Sequence, residues 1–398
     1  MPSDDYYKWH QHPVTVHGQT WNTHRKAGMP VFEDEEAAAI LLAEQLVIAP
    51  DATLYDFHCG SGLVGCIAGT LAPEGRIFLT DANVIPIEAA RWTLASNDVT
   101  NGELVCSHGR SHLSDQPAAD IVTLHLPKGK QPALQLIWDG FQLLKPNGRL
   151  YLAGANRSGI KTQLRYMEEL FGNSQVLAYR QGCRVGMAVK LDQNVSIPEI
   201  FSKPWLDHQH YHRFEIDHKG ESYTICGKPG VFSWDRVDGG TERLLRVMEI
   251  DPTDRVLDLG CGYGILGVIA ARSAREGTVT MVDANIIAVE SARQTVAANG
   301  CSNCQVHLSD CAQAICHQAF DVVLSNAPFH QAKSAQYDVA HQFIDDAATV
   351  LKPNGRFYLV ANRFLPYEAR MKAQFASVQT VFQDAKFKVL LGIQSLGH

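Results

Sequence analysis

No run of eighteen or more apolar residues occurs in the 398-residue chain, which excludes a membrane-spanning helix. The opening residues, Met1 to Gln11, lack the basic start and apolar stretch of a secretory leader, so the expectation is a cytoplasmic protein with no membrane partner. An excess of positive charge is missing too. Lys and Arg number 35 against 42 Asp and Glu, for a formal charge of -7 and a pI near 6.2. That argues against a non-specific polyanion binder but leaves room for a nucleic-acid enzyme with a local basic face. What is present, 45% hydrophobic and 19% charged residues, supplies packed cores. The length suits two domains of about 200 residues each.

Ten scattered cysteines read as buried thiols rather than a disulfide framework. Cys301, Cys304, Cys311 and Cys316 are close in sequence, but the segment Gln305-Val-His-Leu-Ser309 reads as a strand. At about 3.3 Å per residue it holds Cys304 and Cys311 roughly 20 Å apart. A tetrahedral zinc site with bonds of about 2.3 Å cannot span that, so no metal is expected. His208, His210 and His212 alternate, and a strand there would put three imidazoles on one face; the alternative is a solvated interdomain linker.

The chain is written twice, at an offset of 202 residues. Leu54-Tyr-Asp-Phe-His-Cys-Gly-Ser-Gly-Leu-Val-Gly65 pairs with Val256-Leu-Asp-Leu-Gly-Cys-Gly-Tyr-Gly-Ile-Leu-Gly267. Asp81-Ala-Asn83 pairs with Asp283-Ala-Asn285, and Leu144-Lys-Pro-Asn-Gly-Arg149 with Leu351-Lys-Pro-Asn-Gly-Arg356. Prolines and a broken pattern near Val195 to Lys203 place the boundary there, giving domains 1–196 and 197–398.

Each copy alternates strands and helices. In the second, strands are expected at Arg255–Leu259, Thr278–Val282, Gln305–Leu308, Asp321–Ser325, Arg356–Val360 and from Lys386. Helical spacing covers Gly264–Ser273, Ile286–Asn299 and Phe343–Leu351. The pattern predicts an α/β fold with a mostly parallel, doubly wound sheet. A hairpin through Lys219-Gly220 precedes it.

Asp258-Leu-Gly-Cys-Gly-Tyr-Gly264 sits at a strand-to-helix turn, where Gly260, Gly262 and Gly264 let backbone approach a ligand. Asp283, with Ala284 beside it, ends the next strand, where a carboxylate can accept both ribose hydroxyls of an adenosyl ligand. Asp310 and Cys311 end the strand after that, placed to meet an adenine edge. No Gly-Lys-Ser/Thr follows the glycines, so this is not an ATP-type phosphate loop.

At the end of the following strand stands Ser325-Asn-Ala-Pro-Phe-His330. With Pro229-Gly-Val-Phe-Ser233, Asp258 to Gly262, Val360-Ala-Asn362 and Phe387-Lys-Val389, it resembles the bacterial ribosomal-RNA guanine-N2 methyltransferases, small-subunit type C and large-subunit type G. The resemblance covers nearly the whole chain. It implies two tandem Rossmann-like class I methyltransferase domains with seven-stranded sheets, the first degenerate and the second catalytic. It also implies S-adenosylmethionine as cofactor, and a monomer acting on ribosomal RNA or a ribosomal subunit. Phe364-Leu-Pro-Tyr367 is similar to the small-subunit enzymes, His330-Gln331 and Ala361-Asn-Arg363 to the large-subunit ones.

The chemistry accounts for the residue types. The exocyclic amine of guanine is a poor nucleophile because its lone pair is delocalised. An acceptor on each N–H pulls the nitrogen toward tetrahedral geometry. Asn326 supplies one acceptor through its side chain, and a backbone carbonyl at 326 or Ala327 the other. Pro328 restricts residue 327 to extended conformations, and Phe329 can stack on a flipped base. Ala327 departs from the family's Asn-Pro-Pro-Phe. The cofactor-binding set is Asp258, Gly260, Cys261, Gly262, Gly264, Asp283, Ala284, Asp310, Cys311 and Asn326.

The first copy keeps Asp56, Gly60, Gly62 and Asp81 but has His58 opposite Gly260 and His125 opposite Asn326. It is expected to be catalytically dead, serving stability or RNA docking. Arg363, Arg370, Lys372, Lys386 and Lys388 form either a phosphate-contacting rim or a solvated face. The aromatic start, Tyr6, Tyr7 and Trp9, packs on the first domain or touches RNA. Two other readings stand: methylation of another amino or amide substrate such as protein glutamine or DNA adenine, and a retired enzyme that only binds RNA or assists assembly.

Overall fold

The computed structural model describes residues 6–29, 33–113, 116–191, 196–327 and 334–396. They fall into two compact units: Lys8–His210, and residues from Tyr211 onward together with Tyr6 and Tyr7. The chain therefore changes unit between residues 7 and 8 and again between 210 and 211. Among the described residues no helix is long and apolar enough to cross a membrane.

The first unit opens with an antiparallel hairpin, β1 (His10–Val16) and β2 (Gln19–Arg25). Then come α1 (Glu33–Gln45), β3 (Thr53–Phe57), α2 (Leu63–Leu71), β4 (Arg76–Asp81), α3 (Val84–Ser96) and β5 (Gly102–Cys106). The remainder is β6 (Ala119–His125), α4 (Lys130–Leu143), β7 (Leu144–Ala155), α5 (Ile160–Phe171), β8 (Gln175–Arg180) and β9 (Cys183–Val189). The second unit repeats the series. Its hairpin is β10 (His212–His218) and β11 (Glu221–Gly227), followed by α6 (Gly239–Val247), β12 (Arg255–Leu259), α7 (Ile265–Ser273) and β13 (Thr278–Asp283). Next are α8 (Ile286–Ala298), β14 (Cys304–Leu308), β15 (Phe320–Asn326), α9 (Ser334–Val350) and β16 (Leu351–Asn362). Last come α10 (Tyr367–Gln374), β17 (Ser377–Gln383) and β18 (Phe387–Ile393).

The two seven-stranded sheets have the same order, β5-β4-β3-β6-β7-β9-β8 and β14-β13-β12-β15-β16-β18-β17. All pairings are parallel except those of the penultimate strand, which runs antiparallel to both neighbours. The strand after β12 in the chain lies on one side of it and β15 on the other, so the order reverses there. Ligands of open α/β sheets bind at that reversal, beyond the carboxyl ends of the strands. Central strands are continuous apolar runs because helices cover both faces: Val256, Leu257 and Leu259 on β12 and Val322, Val323 and Leu324 on β15 are fully buried.

The expected strands and helices of the second copy are present. Three elements were not foreseen. The edge strand β17 is mostly exposed and shows no apolar alternation, α6 begins on two glycines, and α10 buries only Tyr367 and Met371. The three linker histidines do not share a strand: β10 begins only at His212, and His208 bonds Asp139 of α4 at 2.9 Å. Trp9 packs in the first unit beside Met29 and Ile85, but Tyr6 and Tyr7 belong to the second.

Candidate active site

At the tip of β12 in the second unit, Asp258 is fully buried. Its Oδ2 accepts the Gly267 N–H at 2.9 Å, while Oδ1 has no hydrogen-bond partner among the described residues. Burial, with the Asp283 carboxylate nearby, pushes the Asp258 carboxyl up to about 7 against the opposing Gly267 bond. The loop then turns through left-handed backbone at Gly260 (φ 75°) and Gly262 (φ 55°). A Cβ on Gly260 would come within 2.8 Å of the Phe343 ring, whereas above Gly262 the nearest atom is Val231 Cγ1 at 3.9 Å. Backbone is thus bare on the open side of the loop, and Gly264 starts α7. Cys261 is buried, and burial between the two carboxylates pushes its thiol far up, so it serves as a packed thiol rather than a nucleophile.

Asp283, at the end of β13, accepts Gly262 N–H through Oδ2 and Asn285 N–H through Oδ1, both at 2.9 Å. Burial nonetheless raises its carboxyl. Ala284 follows, partly exposed, before Asn285 caps α8 by accepting Ile287 N–H. Asp310 and Cys311 follow β14, whose continuation is tied to β13 by Ser309 N–H on Asp283 O.

Asn326 ends β15. Its Nδ2 donates to Asp238 Oδ2 at 3.1 Å and to Thr241 Oγ1 at 2.9 Å. Asp238 also caps α6, accepting the Gly240 and Thr241 N–H groups. A carboxylate accepts and does not donate, so the amide nitrogen must face Asp238 and the amide oxygen is presented on the other side. Ser325 Oγ donates to Leu259 O, locking β15 to the loop that carries the glycines. Ala327 is buried; Pro328, Phe329 and His330 lie outside the described residues. Sequence reasoning missed Asp238 and Thr241. The signal was there as Asp238-Gly-Gly-Thr ahead of Leu244-Leu245, a helix-start pattern, but nothing local links it to a residue 88 positions away.

The first unit reproduces the scaffold with the site filled in. Asp56 accepts Gly65 N–H, and Asp81 accepts Gly60 and Asn83 N–H, as their counterparts do. But β3 pairs with β6 so that Asp56 faces Thr123, where Asp258 faces Leu324. The Thr123 hydroxyl donates to Asp56 Oδ1 at 2.7 Å, satisfying the oxygen that the second unit leaves bare. His58 takes a left-handed φ of 56° and places Nδ1 3.2 Å from Asp81. Burial opposes its protonation, yet the carboxylates of Asp81, Glu35 and Asp56 together outweigh that and raise the imidazole. His125, in place of the acceptor amide, lies 3.4 Å from Asp56.

The basic rim is thinner than the sequence suggested. Arg370 pairs with Asp345, and Lys388 is buried against Glu368. Arg363, Lys372 and Lys386 remain exposed.

The sheet order, the glycine turn at its reversal and an amide at the end of the adjoining strand define a tandem methyltransferase of the class I fold. The methyltransferase small domain model matches twice, over residues 24–186 and 222–391, and the chain belongs to that family. It is similar to ribosomal RNA small subunit methyltransferase C of Shewanella pealeana, 31% identical over 72% of this chain and 81% of the relative. The Psychromonas ingrahamii protein of the same name is 28% identical over 75% and 82%. Among solved structures, the T. thermophilus 16S rRNA N2 G1207 methyltransferase in complex with AdoMet and guanosine aligns with a TM-score of 0.80 and 26% identity, covering 99% of this chain and 100% of that one.

Proposed function

We propose that the second unit transfers the methyl group of S-adenosylmethionine to the exocyclic N2 of a guanine in small-subunit ribosomal RNA. The fixed amide of Asn326 carries this reading. Its oxygen is a pre-set acceptor for one amine N–H, and the carbonyl of Asn326 or Ala327 accepts the other. Held this way, the amine nitrogen loses conjugation with the ring and aims its lone pair. Most of the rate enhancement then comes from position and orientation. Asp238 and Thr241 keep the amide from rotating. Pro328 and Phe329 keep the parts expected of them, restricting residue 327 and stacking on the base.

The residues present fit the cofactor. Asp258 has a buried oxygen without a partner among the described residues, and the loop of Gly260, Cys261, Gly262 and Gly264 would receive the ligand over Gly262, where an added Cβ would meet only Val231 Cγ1, at 3.9 Å. Asp283 and Ala284 would hold the ribose, and Asp310 and Cys311 the adenine edge. S-adenosylmethionine, when bound, supplies a methyl already made electrophilic by its sulfonium. No strong base is needed, since the nitrogen becomes acidic as it acquires the methyl.

Exposed Phe364, at 76%, with Arg363 and Lys386 joined by the Arg363 N–H on Lys386 O, marks the face we assign to RNA. The protein acts as a monomer in the cytoplasm.

The test uses small ribosomal subunits from a strain lacking the gene, with labelled S-adenosylmethionine. Label should enter one guanine N2, and Asn326→Ala should lower the rate by about 10²-fold or more, as removal of one preorganised polar group does. Label on protein or DNA instead, or an Asn326→Ala chain that restores modification fully in cells, would overturn the reading.

A further inference from the structure

The loop after β14 is held from an unexpected direction. Tyr6 is 3% exposed, and its hydroxyl donates to Asp310 Oδ1 at 3.0 Å across 304 residues. Cys311 Sγ lies 3.4 Å from the same hydroxyl. Tyr7 donates to Asp346 Oδ2 at 2.7 Å, and that oxygen also accepts Ala312 N–H at 2.8 Å. Between these anchors Cys311 takes φ 48°, a left-handed conformation that persists for such a residue only when its surroundings impose it.

The first unit shows which half of this clamp is generic. There Gly109 occupies the matching left-handed position, and Asp139 accepts Arg110 N–H, with Gln135 on its other oxygen. Gln342 does the same for Asp346. His208 bonds Asp139 as Tyr7 bonds Asp346. In both units, then, the strap comes from the segment just ahead of the other unit's hairpin. The Tyr7 contact is common to a unit with an open site and one with a filled site. At the position of Asp310 the first copy carries His108, so the carboxylate that Tyr6 holds belongs to the second copy.

We propose that Tyr6 is a positioning residue of the cofactor site, its hydroxyl holding the Asp310 carboxylate in the rotation that reads the adenine amino group. This rests on the methyltransferase reading above. Burial pushes the phenol far above its ordinary range, so it remains a donor at every working pH. The strap thereby makes cofactor specificity in the second unit depend on the chain's amino end.

The experiment is calorimetric titration of the full chain, wild type, Tyr6→Phe and Tyr7→Phe, with S-adenosylhomocysteine and with S-inosylhomocysteine, which carries oxygen in place of the adenine amine. Tyr6→Phe should weaken the adenosyl ligand about five- to tenfold and narrow discrimination between the two by the same factor, the net size of one ordinary hydrogen bond. Tyr7→Phe should lower the unfolding temperature while leaving discrimination at the wild-type value. Unchanged or tighter binding by Tyr6→Phe, the latter marking the ring as a plug, overturns the assignment; so does equal loss of discrimination in both variants. A wild-type chain that binds neither ligand sinks the parent reading and this one with it. Wild-type binding with an unaltered Tyr6→Phe sinks this one alone.

Discussion

Replacing Asp258 by asparagine should make the second unit more stable in alkaline solution and a poorer binder. Asp258 is fully buried with one oxygen unpartnered, and its carboxyl is pushed up to about 7. An unfolded aspartate titrates near 3.9, so the difference of about three pH units corresponds to about 4 kcal/mol. The sign follows from proton binding. The folded state holds the proton more tightly, so stability is greatest below about pH 4, falls as pH rises toward 7, and is flat beyond. The side-chain amide of Asp258→Asn does not titrate and lacks this fall. It can still accept from Gly267, but it leaves a donor where Oδ1 was, a pH-independent cost of about 1–3 kcal/mol. The variant should therefore be the less stable chain near pH 4.5 and the more stable one by a few kcal/mol at pH 8, without ligand. Hydrogen exchange in peptides covering β12 and α7, corrected for intrinsic rates, reads this unit apart from the other. Acids remote from position 258, such as Asp346, cancel in the difference, whereas Asp283, coupled to Asp258 by charge, moves with it. Parallel pH profiles for the two chains would refute a titrating buried acid at 258. Affinity for S-adenosylmethionine should fall in the same variant, because the bare oxygen is the one we assign to the ligand.

Three further outcomes can be checked. Asp238→Ala should cost about 1 kcal/mol for the lost cap of α6 and lower the methyl-transfer rate at least tenfold by freeing the Asn326 amide, with cofactor affinity in calorimetry falling by a smaller factor. Titration of the full chain should give one S-adenosylmethionine per chain, since Thr123 and His58 occupy the polar groups of the first site; two equivalent sites would contradict this. Cys301 should alkylate fastest of the ten cysteines, its rate rising through about pH 7: the hydrogen bond from Cys304, with Arg272 beside it, stabilises the Cys301 thiolate. Mass spectrometry after brief iodoacetamide treatment reads the site directly.

Much of this protein is local in character, and the sequence alone determined that part. Duplication is visible as text. The buried strands Val256–Leu259 and Val322–Leu324 are apolar runs because helices cover both faces, and the turn after Asp258 needs glycines because its backbone is left-handed. The acceptor at Asn326 is legible because its neighbours fix its place at a strand end. Other features were decided only by the tertiary structure. Asp238 is an ordinary helix cap until folding sets it against Asn326. Leu324 and Thr123 occupy matching places, yet strand pairing makes the threonine hydroxyl the difference between a bare carboxylate and a satisfied one. Tyr6 and Tyr7 read as an aromatic start that packs on the first domain or touches RNA, and folding delivers them instead to Asp310 and Asp346 of the second unit. Periodicity reports which face of an element is buried. It carries no record of which distant polar group completes a hydrogen bond, because that pairing depends on how the sheet is ordered and where the chain crosses between units.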